Sequence, residues 1–131
     1  KVLIADDEEP LRILIKAILE EMEMTVIVAC DGEDAVIKAK EHKPDLIVTD
    51  LLMPNKNGFE VCKAIRSDKE LEDTPLIILS AMGDEYNKIT GFNEGADDYI
   101  VKPLVKENFI PRFLKVASII NATSTIETKN P

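Results

Sequence analysis

Positive charge, histidine and cysteine are all scarce in this chain, and each shortage closes off a class of function. The 131 residues carry 16 lysines and arginines against 25 aspartates and glutamates, a net charge of −9. Nucleic acids and anionic membranes are gripped by concentrated positive charge, so direct binding to either is not expected of this domain. A basic partner or a bound cation suits the balance better. Cys30 and Cys62 have no histidine or further cysteine at metal-ligand spacing, and they read as buried, reduced thiols of a cytoplasmic protein. The one histidine, His42, stands in Glu41-His42-Lys43 at the expected end of a helix, where the dipole favours it, and a catalytic role is not expected of it. No apolar run approaches the roughly 20 residues of a bilayer span. The opening Lys1-Val2-Leu3-Ile4-Ala5 is too short an apolar stretch for a signal peptide, so the sequon at Asn121-Ala122-Thr123 has no secretory context.

What is present is the composition of one ordinary globular domain, 45% hydrophobic and 31% charged. At this length a folded chain buries roughly two-thirds of its unfolded surface, so a core forms without staples. Five apolar runs stand out: Val2 to Ala5, Val26 to Ala29, Leu46 to Val48, Leu76 to Leu79 and Tyr99 to Val101. They are rich in Ile and Val and do not alternate with polar residues, the pattern of strands buried on both faces of a parallel sheet. Segments of helical period separate them. Leu11, Leu14, Ile15, Ile18, Leu19 and Met22 mark the first, with Pro10 where a helix start tolerates it. Asp31-Gly32 opens a second, Phe59, Cys62 and Ile65 mark a third, and Tyr86, Ile89 and Phe92 a weak fourth ending at Gly95. Phe109, Phe113, Val116 and Ile120 mark a fifth, in which Pro111 predicts a late start or a kink. Alternating strands and helices predict a doubly wound α/β fold with a five-stranded parallel sheet, and flavodoxin-like folds of this size favour the strand order 2-1-3-4-5. Residues 122–131 are polar and without period, and read as a tail or the start of a linker beyond a domain spanning 1–121.

In a parallel sheet the carboxyl ends of all strands lie on one rim, which is where ligands bind. Here the first run is followed by Asp6-Asp7, the third by Asp50, the fourth by Ser80 and the fifth by Lys102-Pro103. Three anions within a few ångström repel one another unless a cation sits among them. Lys102 offsets one charge, and the rest suits Mg²⁺, a hard ion that takes a few carboxylates and leaves positions for phosphate oxygens. Ser80 can donate to a phosphoryl oxygen. An aspartate is already ionised at neutral pH and needs no base to act as a nucleophile. The set suits phosphoryl transfer onto Asp50, giving an acyl phosphate. Each member alone has a plainer reading: an acidic run at a helix start, a solvated loop acid, a turn serine, a snorkelling lysine. Their coincidence at four strand ends favours the chemistry.

The Asp6-Asp7 pair, the stretch Asp50-Leu51-Leu52-Met53-Pro54-Asn55-Lys56-Asn57-Gly58, the Ser80-Ala81 pair, and the stretch from Gly95-Ala96-Asp97-Asp98 through Tyr99-Ile100-Val101-Lys102-Pro103 resemble the receiver domain of two-component response regulators, over residues 1–121. The resemblance implies that Asp50 is the phosphoacceptor of a phosphorelay switch, charged by a sensor histidine kinase or a histidine phosphotransfer protein. It implies Mg²⁺, with Mn²⁺ as an alternative, held by Asp6, Asp7, Asp50 and the backbone carbonyl of Leu52. Backbone groups of Leu52 and Ala81 would contact the phosphoryl group, Lys102 would pair with it, and a cis Lys102-Pro103 bond would orient the lysine. Ser80 and Tyr99 would be the switch pair that carries the change to an output domain or to a second copy of the chain. Such a protein catalyses only its own phosphorylation and dephosphorylation. Leu52 and Met82 flank the site as apolar residues unable to orient an attacking water, which predicts slow self-dephosphorylation.

Two other functions share parts of this pattern. A Mg²⁺-dependent phosphatase or phosphotransferase also forms an aspartyl phosphate, but commonly places a second acid two residues after the nucleophile; here that residue is Leu52, and a cap domain to enclose a substrate is not expected. A non-phosphorylated interaction module with a degenerate site is opposed by the complete set of Asp6, Asp7, Asp50, Ser80 and Lys102. Asp97-Asp98 opens the fifth strand at the far rim and is expected to be solvated. Pro111 departs from the usual last helix of the family and sets any dimer contact through the fourth and fifth helical segments in question.

Overall fold

Short runs of Val and Ile favour strands, because β-branched side chains pack well on a pleated surface covered from both sides. The computed structural model describes residues 1–81, 89, 90, 92–102 and 104–129, with side chains of the last helix to 118. In it the runs become β1 (Val2–Ala5), β2 (Val26–Ala29), β3 (Leu46–Asp50), β4 (Leu76–Ser80) and β5 (Asp98–Val101). They form one sheet in the order β2-β1-β3-β4-β5, parallel throughout. This is the expected doubly wound α/β architecture. The register aligns Ala5 with Thr49, Asp50 with Leu79 and Ser80 with Val101, so the functional strand ends finish level on one rim. β2 departs from the expectation of full burial: Val26, Ile27 and Val28 are half-buried, because an edge strand has a neighbour on one side only. Lys38 reaches over that strand and donates to the Val28 carbonyl at 2.7 Å.

Helices α1 (Glu9–Glu21), α2 (Gly32–His42), α3 (Gly58–Arg66) and α4 (Lys106–Lys129) complete the layers. Alternation along each strand divides the core in two. Leu3, Ala5, Ile47, Leu76, Ile78 and Tyr99 face α2 and α3, where Ala35, Val61, Cys62 and Ile65 meet them. Val2, Ile4, Val48, Ile77, Leu79 and Ile100 face α1 and α4, where Ile15, Leu19, Phe109, Phe113 and Val116 close the other side. The Phe109 and Phe113 rings lie 5.6 Å apart. Within α1 the apolar stripe is narrower than its sequence period: Ile15, Ile18 and Leu19 are buried, while Leu14 is exposed.

Of the weak fourth helical segment, Tyr86 lies outside the described residues. Its end is as expected: Glu94 N–H donates to Thr90 O, Gly95 N–H to Phe92 O, and Gly95 takes φ 103, a conformation that disfavours any side chain. Two expectations need correction. The last helix does not start late: it begins at Lys106 and runs through Lys129, with Pro111 inside it. Proline there forfeits one bond, to the Glu107 carbonyl four residues back; both residues are exposed, where water replaces the lost donor. Cys30 is exposed, not buried, because it follows the last residue of the edge strand β2. Cys62 is buried as expected; desolvation lifts its thiol to about 11, and it bonds the Glu94 carbonyl at 3.2 Å.

Candidate functional site

The site forms where β1, β3, β4 and β5 end. Asp6 follows β1 and Asp50 is the last residue of β3; both are buried, whereas Asp7 beside them is exposed. One carboxylate oxygen from each of the three lies within 4.8 Å of those of the other two. Lys102, one residue past β5, closes the group with its ammonium 3.0 Å from Asp50 Oδ1 and 3.5 Å from Asp6 Oδ2. Its backbone N–H donates to Ser80 O at 2.6 Å, which ties the lysine to the end of β4. The spacing in sequence therefore becomes contact in space for Asp6, Asp7, Asp50 and Lys102.

Ser80 ends β4 and is buried. Tyr99 lies on the neighbouring strand, opposite Ile78 in register, so it points to the same face as Ser80, two positions further from the rim. The ring is buried, and its hydroxyl has no hydrogen-bond partner among the described residues. Leu52 sits at the rim with 69% of its surface exposed, and Ala81 is exposed just beyond β4. Met82 and Pro103, and with Pro103 the geometry of the Lys102-Pro103 bond, lie outside the described residues.

Burial sets the electrostatics. Desolvation, then the charge of Asp6, pushes Asp50 up to about 6 against the pull of Lys102 and the Leu51 N–H. Asp6 is raised chiefly by desolvation, opposed by the Glu8 N–H and Lys102. For Lys102 burial works to lower the pKa, but the bond to Asp50 and the charges of Asp50 and Asp6 outweigh it and the ammonium is held more firmly. The pocket thus carries more negative charge than its lysine matches. Asp6 Oδ2 is a buried acceptor with no hydrogen-bond partner among the described residues. A carboxylate oxygen without a hydrogen bond, among hard oxygen donors that one ammonium only partly offsets, fits a small divalent cation such as Mg²⁺.

Backbone packing behind Asp50 fixes its direction. Its Oδ1 accepts from Leu51 N–H at 2.9 Å, and its carbonyl from the Thr49 hydroxyl at 3.1 Å. Gly58, at the start of α3, comes so close that a Cβ would sit 2.7 Å from the Asp50 carbonyl oxygen. The loop between β3 and α3 is latched to α2 by Asn55 Nδ2, which donates to Asp31 Oδ2 at 2.9 Å; Asp31 also caps α2 through the Asp34 N–H. Sequence reasoning overlooked Thr49, Asn55 and Arg12, which donates to the Asp6 carbonyl at 2.6 Å. Arg12 left a signal, a cation on the first turn after the acidic pair, and Asn55 stood in the quoted Asp50–Gly58 stretch with no role assigned to it. Asp97 and Asp98 correct the reading of a solvated pair. Arg66 holds Asp97 at 3.0 Å, and Arg112 binds both oxygens of Asp98, at 2.6 and 3.0 Å.

This constellation, on this sheet, is that of a signalling receiver. The chain matches the response regulator receiver domain family over residues 2–113 and belongs to it. It is 38% identical over 131 residues to the transcriptional regulatory protein ResD of Bacillus subtilis, covering 100% of this chain and 53% of that protein. With the alkaline phosphatase synthesis transcriptional regulatory protein PhoP of the same organism it shares 45% identity over 103 residues, 79% of this chain and 42% of PhoP. The chain therefore spans about half the length of these relatives or less. Among solved structures, the receiver domain of Francisella response regulator 1452 superposes with a TM-score of 0.82 at 36% identity, covering 91% of this chain and 97% of that one. The Vibrio cholerae chemotaxis protein CheY4 superposes with 0.83 at 31% identity, over 88% and 96%. The family is one of signalling proteins in two-component systems. Among the described residues no helix is long and apolar enough to cross a membrane.

Proposed function

We propose that the domain is a phosphorelay switch, phosphorylated on Asp50 by a histidine kinase or a histidine phosphotransfer protein. The contact of Lys102 with both Asp50 and Asp6 carries this reading, because it puts an ammonium where an incoming phosphoryl oxygen gathers charge. The Asp50 carboxylate attacks phosphorus, the bond from phosphorus to the donor imidazole nitrogen breaks, and that nitrogen keeps the electron pair. Lys102 pairs with a phosphoryl oxygen, the backbone N–H groups at Leu52 and Ala81 reach others, and the Ser80 hydroxyl donates to one. Asp6, Asp7, Asp50 and the Leu52 carbonyl would hold Mg²⁺ or Mn²⁺, which supplies the positive charge that lets a phosphoryl group approach carboxylates.

The switch pair is Ser80 and Tyr99: drawing the serine toward the phosphoryl group changes the space over the buried ring. Such a change needs contacts that favour one state, and the phosphoryl group provides them. Residues 1–121 form the phosphorylated unit, 122–131 lead onward, and the output is regulation of transcription, as the names of ResD and PhoP suggest. A second copy of the chain is the other candidate for the receiving surface, and the cytoplasm, where kinase and reduced thiols coexist, is the compartment. Exposed, apolar Leu52 offers nothing to orient water, so the phosphorylated form is expected to persist. Incubation with acetyl phosphate and Mg²⁺ followed by intact mass tests the reading. One phosphoryl group, absent in Asp50→Ala and without added metal, is expected; an unmodified wild-type mass would overturn it. Loss of label within seconds would count against slow decay, and Met82→Glu should speed it.

A further inference from the structure

Asp6 carries four polar groups, and the protein hydrogen-bonds three of them. Its N–H donates to Ala29 O at 3.2 Å, its Oδ1 accepts from Glu8 N–H at 2.8 Å, and its carbonyl accepts from Arg12 Nη1 at 2.6 Å. The fourth, Oδ2, is a buried oxygen that no described residue hydrogen-bonds and that the Lys102 ammonium faces at 3.5 Å. Arg12 also closes the far end of the same turn, its backbone N–H donating to Glu8 O at 3.1 Å. One half-buried residue of α1 therefore grips the turn on either side of Asp7.

We propose that Arg12 is a positioning residue for the divalent-cation site, fixing the turn so that Asp6 Oδ2 and the Asp7 carboxylate face Asp50 before any ion arrives. This rests on the reading of Asp6, Asp7 and Asp50 as a Mg²⁺ site. The charge of Arg12 acts the other way. A guanidinium held on the Asp6 carbonyl repels a dication bound by that residue, so by charge alone its removal tightens cation binding. Loss of positioning weakens it, since hydrogen bonds that orient ligands from outside the coordination shell are commonly worth 10- to 100-fold in affinity. The two effects differ in sign, which makes the question decidable.

The test uses the unphosphorylated full chain, with Mg²⁺ titrated by calorimetry and Mn²⁺ by electron paramagnetic resonance. Arg12→Met is expected to bind both ions about tenfold more weakly, the lower end of that range because the contact is to the backbone of a ligand. Arg12→Lys, which keeps a donor and the charge, should recover most of the loss, while melting in EDTA stays cooperative for both. If Arg12→Met does not melt cooperatively, Arg12→Gln, polar and helix-compatible but too short to reach, carries the same comparison. Equal or tighter binding in the variant lacking the guanidinium overturns the proposal. A wild type that binds Mg²⁺ no better than Asp50→Ala overturns the cation site itself, a distinct result.

Discussion

At the amino-terminal end of β5, Asp97 accepts from Arg66 Nη2 at 3.0 Å and from Leu76 N–H at 2.8 Å, and Asp98 is held by two nitrogens of Arg112. At the carboxyl ends of the strands, Asp6 and Asp50 share the ammonium of Lys102, with the Asp7 carboxylate close beside them. The same residue type, on the same sheet, is neutralised at one end and left in excess at the other. Matched charges fix geometry: Arg66 also binds the carbonyls of Gly95, Glu72 and Thr74, so one guanidinium joins α3 to the approaches of β4 and β5. Unmatched buried charges instead cost stability until a ligand supplies the missing partner.

Mutations at the two ends should therefore change stability with opposite signs. Arg66→Ala is expected to lose about 3 kcal/mol in urea unfolding, because several acceptors lose a charged donor at once; a loss below about 1 kcal/mol would remove the contrast. Asp50→Asn should gain about 1–3 kcal/mol in EDTA near neutral pH, since it removes a buried charge whose pKa lies well above that of the unfolded chain. Added Mg²⁺ should shrink that gap by stabilising the wild type alone.

The pH dependence follows from the value of about 6 for Asp50 against 3.8 in the unfolded chain. Between those values the folded state holds a proton that the unfolded state has released, so this group makes the metal-free fold more stable as pH falls. Asp6, raised in the same direction, adds to the trend, and Asp50→Asn should flatten it. Mg²⁺ affinity should fall below about pH 6, because protons then compete for the same oxygens. The smallest effect sharpens the comparison away from both ends. Asn57 caps α3 in a reciprocal pair with Glu60, and Asn57→Ala should cost about 1 kcal/mol without altering Mg²⁺ binding.

The sheet was legible because Ile and Val runs admit few alternatives, its order only as the habit of folds of this class, and the rim cluster because parallel strands bring their ends together. Side-chain pairing across long separations was not legible. Nothing local to Asp97 and Asp98 announces Arg66 or Arg112, and polar residues at a strand start read as solvated by default. Cys30 misled for a related reason: thiols are usually buried, but this one lies beyond the edge strand. Pro111 was read from intrinsic cost alone, whereas an exposed helical turn has water to satisfy the carbonyl it orphans. Ser80 and Tyr99 were joined as a switch pair by resemblance, and their common face emerges only from the register of β4 with β5.

Lys38, arching over β2 to the Val28 carbonyl, has a bearing on how this molecule keeps company. A sheet border exposes a ladder that a stray strand from another copy can extend, and lysine on that border is a common deterrent to amyloid-like stacking. With one acceptor already engaged and an ammonium at the border, that flank is a poorer template for a strand from another copy.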